Sequence, residues 1–295
     1  MFKVQQQING VVAKDKKKVK LKTLFDMFED YSKLNKKSYK SDLCLLHILR
    51  DYFKEQYADE ITLKTLESFK SYLLFEREVQ NSTINRYRAL LSKVYNIAIA
   101  NKLVRENPVR DFKMLREKNY KIRFLSKDEE IRLFKAINKL YPHLNPIVTC
   151  ALQTGMRRSE IFNLQWKNID FDYGFIELLE TKSGKSRKIP ISDTLMKILN
   201  RQSKEYNYVF TNPETKQPYT DIKHSFHTVL NAANIQNFRF HDLRHTVATR
   251  LVEKNIDLVV VKEILGHADI QTTMRYAHAV PKRKLEAIEV LNSYN

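Results

Sequence analysis

Apolar side chains recur at helical spacing through the first third of the chain, beginning near Leu21. A repeat every three or four residues places such side chains on one face of an amphipathic helix. The polar pair Ser41 and Asp42 precedes an apolar segment, which predicts a helix N-terminus at that pair. Helices are predicted from Leu21 and over 43–53, 62–75 and 83–100. No strand pattern interrupts them, so residues 21–111 are predicted to form an all-helical domain.

The pattern becomes mixed after residue 124. Ser126 followed by Glu129 has the spacing of a capping box, which predicts a helix from there to Leu140. Two runs of strand character, 171–180 and 187–191, flank a Ser–Gly turn and predict a β-hairpin. Further helices are predicted over 146–153, 192–202, 221–234, 240–254 and 256–265, with a short strand at 208–210. The sequence therefore predicts a mainly α fold with a small β-sheet in its C-terminal domain.

This pattern divides the chain into domains and connecting segments. The lysine-rich residues 1–20 are predicted to be a basic arm, for which a solvated tail is the alternative. Residues 112–124 are basic and weakly periodic, which indicates a linker between the helical domain, 21–111, and the C-terminal domain, 125–295. A last amphipathic helix is predicted over 282–291.

The stretch 265–278 is predicted to contain a short helix with a tyrosine on it. Ile270, Met274 and Ala277 recur at i, i+4 and i+7, which predicts that they form the buried stripe. At about 100° per residue, Tyr276 falls roughly 120° from that stripe and is predicted to lie off the core. A phenol in that position is a candidate nucleophile, and an ordinary surface tyrosine is the alternative.

The charge of the chain favours a polyanionic partner. There are 52 Lys and Arg residues against 34 Asp and Glu, a formal net charge of +18. Residues 1–120 hold 25 basic and 15 acidic side chains, and residues 121–295 hold 27 and 19. An excess on both halves favours nucleic acid, because neutralising phosphates releases counterions. The alternative is a basic protein that binds no polyanion.

The two cysteines and the length of the apolar runs indicate the cellular compartment in which the protein is expected. Cys44 and Cys150 each lie in an apolar run, which indicates core thiols of a reducing cytoplasm rather than a disulfide. The polar N-terminus does not have the pattern of a signal peptide. No apolar run approaches the roughly 20 residues that span a bilayer. A cytoplasmic protein is therefore expected.

Two polar clusters lie beside glycines and suit phosphate chemistry. Arg157 and Glu160 are spaced i, i+3 at a predicted helix start, where a guanidinium held by a carboxylate can bind an anion. Lys182 lies at the predicted hairpin tip beside Gly184, where it can reach into a minor groove or donate a proton. The alternatives are a surface Arg–Glu pair and a solvated turn lysine.

A third cluster opens the predicted helix 240–254. His241 and Arg244 lie off the centre of its buried stripe, and a cation beside an imidazole suits a phosphodiester. His241 and His245 also have metal-ligand spacing, but Arg244 between them would repel a metal ion. No phosphate-cradling glycine loop and no carboxylate cluster for two magnesium ions is present in the sequence, which argues against nucleotide hydrolysis.

Taken in order, these clusters resemble the tyrosine recombinases of the phage integrase family, including the Xer proteins. The matching segments are 154–160, Lys182 on its hairpin, 241–245, 265–267 and 275–276. The resemblance covers roughly 21–295 and is most specific in the C-terminal domain. It implies Arg157, Lys182, His241, Arg244 and His267 as catalytic residues, Glu160 as a supporting acid and Tyr276 as the nucleophile. Arg158 is the alternative to Arg157, although the family spacing favours Arg157.

The resemblance implies a metal- and ATP-independent reaction without cofactors. Tyr276 would attack a scissile phosphate and leave a 3′-phosphotyrosyl bond, and Lys182 would protonate the departing 5′-oxygen. Arg157, Arg244 and His267 would stabilise the transition state, with His241 assisting proton transfer at the tyrosine.

The implied architecture is a C-shaped clamp on double-stranded DNA, made of an all-α core-binding domain and an α+β catalytic domain. The expected assembly is a homotetramer that resolves a Holliday junction at a specific site, with a monomeric free form and an accessory protein as a further candidate partner. Helix 282–291 would contact a neighbouring protomer, or else pack on its own domain. Candidate DNA contacts are Arg86, Arg88, Lys93 and Lys185.

Three readings of the function remain open. A Xer-like resolvase and a mobile-element integrase are both compatible with the motifs, and the short arm favours the simpler Xer-like architecture. A type IB topoisomerase shares the tyrosine chemistry but acts without strand exchange. A non-catalytic DNA-binding protein of the same fold is a third reading, which the intact set of residues around Tyr276 disfavours.

Overall fold

The computed structural model describes residues 18–117, 122–178, 186–277, 288, 289 and 292. The chain divides into two compact units, 1–119 and 120–295. The basic arm falls almost entirely outside the described residues, and so does helix 282–291 apart from two positions. Among the helices that the structure describes, none has the length and apolar character to cross a membrane.

The N-terminal unit is helical, as the apolar spacing predicts. Its helices are α1 (Leu21–Asn35), α2 (Tyr39–Phe53), α3 (Leu63–Ser71) and α4 (Asn81–Ala100). Their apolar faces enclose one core, in which Phe28, Leu49, Phe69 and Val94 are almost completely buried. Thr62 caps α3 by accepting a hydrogen bond from the Thr65 amide.

Two helix boundaries in this unit differ from the prediction. Helix α2 begins at Tyr39 and not after Ser41, because Asp42 is used elsewhere. Its carboxylate accepts hydrogen bonds from the Ser32 hydroxyl at 2.8 Å and from Lys36 at 2.7 Å. Helix α3 ends at Ser71 and continues as a π-helical turn, Tyr72–Glu76. The helical segment therefore reaches about as far as predicted, but its last turn is not α-helical.

The described ends of the predicted linker, 112–124, are fastened to their own units. Phe112 is buried in the helical core, and Leu115 exchanges two backbone hydrogen bonds of 2.9 Å with the Asn85 side chain. On the other side of the gap at 118–121, Leu125 donates its amide to the Thr246 hydroxyl at 3.0 Å. The described residues at both ends of the predicted linker therefore belong to the structure of their own units.

The C-terminal unit is mainly helical and carries a small antiparallel sheet. Its helices are α5 (Lys127–Leu140), α6 (Asn145–Thr154), α7 (Arg158–Phe162), α8 (Asp193–Asn200), α9 (Lys223–Ala232), α10 (Asp242–Glu253), α11 (Leu258–Leu265) and α12 (Ile270–Ala277). The capping box predicted at Ser126 and Glu129 is confirmed, since each accepts the other's backbone amide at 3.0–3.1 Å. The predicted fold class is confirmed.

The sheet has three strands in the order β1 (Ile169–Asp170), β2 (Phe175–Leu178) and β3 (Arg187–Pro190). Ile176 pairs with Ile169 on one side and with Ile189 on the other, so the three side chains face the same core. Strand β1 was not predicted. The predicted strand from residue 171 begins only at Phe175, because Asp170 accepts amides of the turn before it. The predicted strand at 208–210 is reduced to a single bridge between Gln165 and Tyr208.

Candidate active site

The turn after α6 brings the first arginine next to the end of α11. Gly155 adopts a left-handed φ of 64°, which ends α6 and redirects the chain. A Cβ at this position would lie 2.6 Å from Leu265 Cδ2 and 3.3 Å from Val247 Cγ1. Only glycine therefore allows this turn to pack against α10 and α11 while presenting Arg157.

Arg157 is held by the following helix and by the turn after α11. Its Nη1 and backbone amide donate to the two carboxylate oxygens of Glu160, both at 2.8 Å. Its Nη2 donates to the Gly266 carbonyl at 2.8 Å. Arg158 points away and pairs with Asp221 at the exposed surface. Among the described residues, the structure thus gives the anchored position to Arg157 and not to its neighbour.

A second arginine, Arg187 of β3, completes the support of Glu160. Its guanidinium donates to Glu160 Oε2 at 2.7 Å and to Oε1 at 3.1 Å, and its Nε donates to the Ile264 carbonyl at 3.1 Å. Burial raises the pKa of Glu160, but the hydrogen bonds and charge of Arg187, with those of Arg157, outweigh it and lower that pKa. Sequence reasoning missed Arg187. The alternation of side chains along a strand could have identified it, because Arg187 lies two residues before the buried Ile189 and so on the same face of the sheet.

Arg187→Met is expected to lower the free energy of unfolding of the C-terminal unit by about 3 kcal/mol. Arg187 and Glu160 are 8% and 9% exposed, and removing one partner of a buried ion pair leaves the other incompletely compensated. Urea unfolding followed by the fluorescence of Trp166, the single tryptophan, measures this unit directly. The exposed pair of Arg158 and Asp221 supplies the control, since Arg158→Met should change the stability by less than about 1 kcal/mol. Equal stabilities of the two variants would contradict the proposed support.

Arg244 lies inside the unit, next to the positive charge of Arg157. It is 3% exposed, and its Nη1 donates to the Gly155 carbonyl at 2.8 Å. Burial, and then the positive charge of Arg157, lower its pKa to about 10, so it stays protonated at neutral pH. Two guanidinium groups close together in a partly desolvated place favour an anion between them.

Three histidines surround the same region. The rings of His241 and His245 lie edge to face at 5.0 Å, and the ring of His267 stacks 6.4 Å from that of Tyr276. Nδ1 of His267 is 2.8 Å from the Thr273 hydroxyl, which orients the imidazole. Desolvation, followed by nearby charges, lowers the pKa of all three, to about 4 for His245 and His267. At neutral pH they are therefore uncharged and able to accept or relay protons.

Lowering the pH is expected to destabilise the C-terminal unit at pH values higher than those at which carboxylates titrate. The folded pKa of His245 and His267 is about 4, below the value of about 6.5 in an unfolded chain. The unfolded chain then binds protons that the folded chain does not. Stability present above pH 6.5 is lost as the pH falls towards 4, by up to about 3 kcal/mol for each histidine.

Urea unfolding at half-unit steps from pH 7.5 to 4.5, followed by Trp166 fluorescence, measures this loss. The double variant His245→Gln, His267→Gln should lose much less stability between pH 6.5 and 5. A wild-type profile that is flat across the same window would contradict the lowered histidine pKa values.

Tyr276 is buried, which overturns the predicted orientation of α12. It is 1% exposed, whereas Met274 of the predicted buried stripe is 37% exposed. Thr273 and Tyr276 face inwards because the hydroxyl of each forms a hydrogen bond with an imidazole. Burying these two side chains therefore leaves neither hydroxyl without a partner. Burial raises the pKa of Tyr276, against the opposing charges of Arg244 and Arg275.

The phenol is held by a histidine that the resemblance did not assign. Tyr276 Oη lies 2.6 Å from Nδ1 of His245, and the ring packs against Ala248, Val261 and Leu265. His241, which the resemblance placed beside the tyrosine, is exposed. The sequence did contain His245, but its i, i+4 spacing from His241 suggested only a metal site.

The remaining predicted residues lie elsewhere. Lys182 and Lys185 fall outside the described residues. Arg86, Arg88 and Lys93 lie on α4, with Arg86 and Lys93 exposed. Arg88 donates its Nε to the Phe112 carbonyl, and Lys93 lies over the Tyr31 ring at 5.2 Å. The described contacts of these two cations are thus within the N-terminal unit, and their role in DNA binding stays a prediction.

Comparison with known proteins places this geometry in a family. Residues 123–283 match the phage integrase family, and residues 22–121 match the phage integrase SAM-like domain. The chain is a tyrosine recombinase of the phage integrase family. The predicted resemblance is thereby confirmed.

Individual relatives come from both phages and cellular genomes. The chain is 34% identical over 196 residues to the integrase of Salmonella phage P22, covering 61% of this chain and 50% of that protein. It is 30% identical over 236 residues to tyrosine recombinase XerC of Pediococcus pentosaceus, covering 74% and 77%. This tyrosine recombinase therefore spans only half the length of the P22 integrase.

A solved structure supports the fold. The Tn1549 transposon integrase, residues 82–397 in complex with a circular-intermediate DNA, superposes with a TM-score of 0.79 at 22% identity. The match covers 92% of this chain and 99% of that one. At this level of identity the likeness establishes a shared fold, and the roles of individual residues rest on the geometry described above.

Proposed function

We propose that this tyrosine recombinase cuts and rejoins double-stranded DNA at a specific site through a covalent 3′-phosphotyrosyl intermediate on Tyr276. The observation that carries the proposal is the enclosure of the Tyr276 hydroxyl. Three separate segments bring two guanidinium groups, Arg157 and Arg244, and three uncharged imidazoles to the region of this hydroxyl. A surface tyrosine of no function needs no such surroundings.

The proposed chemistry assigns each group a step. The Tyr276 oxygen attacks the scissile phosphorus while the bond from phosphorus to the 5′-oxygen breaks. Arg157, Arg244 and His267 stabilise the negative charge that develops on the non-bridging oxygens. Lys182 delivers a proton to the leaving 5′-oxygen, and His241 takes part in proton transfer.

The reaction is proposed to need neither ATP nor a metal ion. The phosphotyrosyl bond conserves the free energy of the phosphodiester, so a 5′-hydroxyl can rejoin the strand without another energy source. The fixed charges of the two arginines supply the transition-state stabilisation that a metal ion supplies in other phosphoryl-transfer enzymes.

The assembly proposed on DNA is a tetramer that pairs two sites and exchanges strands through a Holliday junction. The net charge of +18, spread over both halves of the chain, supports contact with a long duplex. Arg86, Arg88, Lys93 and Lys185 are proposed contacts to its backbone. Dimer resolution and mobile-element integration both remain within this proposal.

Covalent capture tests the proposal and finds the site in one experiment. The protein is incubated with a library of nicked duplexes of random sequence, complexes are denatured in detergent, and only DNA attached to protein is recovered and sequenced. We expect a consensus sequence to emerge over successive rounds. Recovery without a consensus would favour a topoisomerase-like activity. Binding without any denaturant-resistant DNA would contradict the proposed chemistry.

A further inference from the structure

The contact of Tyr276 with His245 points beyond the roles that the family resemblance supplies. The phenolic oxygen is the atom that must lose a proton when it attacks phosphorus. In the described part of the site, the group that hydrogen-bonds this oxygen is His245, with Nδ1 at 2.6 Å from Oη. We propose that His245 is the catalytic base of the tyrosine and that Asp242 fixes its tautomer, an inference that rests on the proposed function.

The geometry of His245 favours an accepting Nδ1. Its Nε2 lies 4.0 Å from Oδ1 of Asp242, a carboxylate that is itself buried. The other carboxylate oxygen accepts the Arg239 amide at 2.7 Å, which holds Asp242 in this orientation. A carboxylate beside Nε2 stabilises the tautomer with its proton there and leaves the lone pair of Nδ1 for the phenol.

The position of the neighbouring histidine supports the same assignment. His241 is exposed and contacts the ring of His245 edge to face, and in the described part of the site the phenol is hydrogen-bonded to His245 and not to His241. His267 stacks parallel to the Tyr276 ring, and its Nδ1 is engaged by Thr273. The base must lie within hydrogen-bond distance of the proton it removes, and among the described imidazoles His245 meets that condition.

The proposed step balances. As the bond between the Tyr276 oxygen and phosphorus forms, the phenolic O–H bond breaks and its proton moves to Nδ1 of His245. The resulting imidazolium is stabilised by Asp242. The bond to the 5′-oxygen breaks on the opposite side, and that oxygen receives a separate proton. On rejoining, His245 returns its proton to the departing phenolate.

The surroundings of His245 explain why it becomes a base only when DNA is bound. In the free protein, desolvation and the charges of His241, Arg275 and Arg244 lower its pKa, while Asp242 raises it. Tyr276 and His267 also face the ring. A phosphate bound between the arginines offsets their positive charge, which favours protonation of the imidazole at the moment of attack.

The test uses His245→Asn on a nicked duplex obtained by covalent capture. Asparagine places an amide oxygen near the position of Nδ1, so it can still accept the phenolic hydrogen bond but cannot carry the proton. We expect the rate of covalent attachment to fall by about a hundredfold or more, with DNA affinity and thermal stability little changed. His227→Asn is the matched control, since His227 is an exposed histidine bonded to Asn231 four residues away, and its rate should equal the wild-type rate.

Two further arms separate a base from a structural role. A duplex with sulfur in place of the scissile 5′-bridging oxygen needs no proton on its leaving group, so it should relieve a Lys182→Ala defect but not the His245→Asn defect. Asp242→Asn retains an acceptor for the Arg239 amide and should slow attachment about tenfold in wild type, but not further in His245→Asn.

The outcomes distinguish the two proposals. Wild-type protein that attaches to no duplex contradicts the proposed function, and the role of His245 falls with it. Wild-type attachment with a fully active His245→Asn variant overturns the role of His245 alone. Relief of the His245→Asn defect by the sulfur substrate would place this histidine on the leaving-group side and would also overturn the assignment.

Discussion

Tyr276→Phe is expected to abolish covalent attachment to DNA while leaving the fold and DNA binding intact. The substitution removes only the hydroxyl, so the ring keeps its packing against Val261 and Leu265. The lost hydrogen bond to His245 should cost about 1 kcal/mol of stability. Phenylalanine offers no nucleophile in place of the phenol, so the denaturant-resistant complex should disappear. A denaturing gel measures attachment, and a gel-shift assay measures binding.

Tyr95→Phe is the matched control for this experiment. Tyr95 is also 1% exposed, and its hydroxyl donates one hydrogen bond, to the Ala58 carbonyl at 2.9 Å. It belongs to the N-terminal unit, whereas the described site is built from residues of the C-terminal unit. The two variants should lose similar stability, and only Tyr276→Phe should lose attachment. An adduct that persists in Tyr276→Phe would show that another residue is the nucleophile.

Local interactions made much of the fold predictable. The capping box at Ser126 and the helical repeat from Leu21 each depend on residues a few positions apart, and both are found as predicted. Strand β1 escaped prediction because it has only two residues, Ile169 and Asp170, and its pairing with β2 is decided by the sheet. Such short strands leave no alternating pattern in the sequence.

Several residues that meet in the candidate site had been singled out in the sequence, but their arrangement was not predicted. Apolar periodicity assigned the inner face of α12 to Ile270 and Met274, whereas buried hydrogen bonds to histidines of α10 and of the α11–α12 turn decide that Thr273 and Tyr276 face inwards. His245 lies 31 residues before Tyr276, so no local pattern contains that contact. Arg187 was missed for the same reason, since its carboxylate partner lies 27 residues earlier.

Arg244→Met is the second substitution with a large expected effect, and it should separate activity from stability. Removing a buried donor that stabilises transition-state charge should slow covalent attachment by about a thousandfold. The free energy of unfolding should change by no more than about 1 kcal/mol. Methionine has a similar volume and no charge, so the substitution removes the cost of burying a cation next to the positive charge of Arg157. This gain in stability should offset the loss of the hydrogen bond to the Gly155 carbonyl.

Arg187→Met is the substitution with which the stability of Arg244→Met is compared. Both arginines are nearly buried, at 3% and 8% exposure, but of the two it is Arg187 that forms an ion pair with a carboxylate among the described residues. One substitution should therefore destabilise the unit, and the other should not.

The pKa of His267 provides a second measurement of the effect of Arg244→Met. The charge of Arg244 helps to lower the pKa of His267, so its removal should raise that pKa from about 4. Nuclear magnetic resonance titration of the imidazole protons measures the change. An Arg244→Met protein that is as destabilised as Arg187→Met, with the His267 pKa unmoved, would mean that Arg244 stabilises the fold. The cation would then not be held for an incoming phosphate. A buried charge that costs stability and lies beside a nucleophile is instead the pattern of a group retained for catalysis.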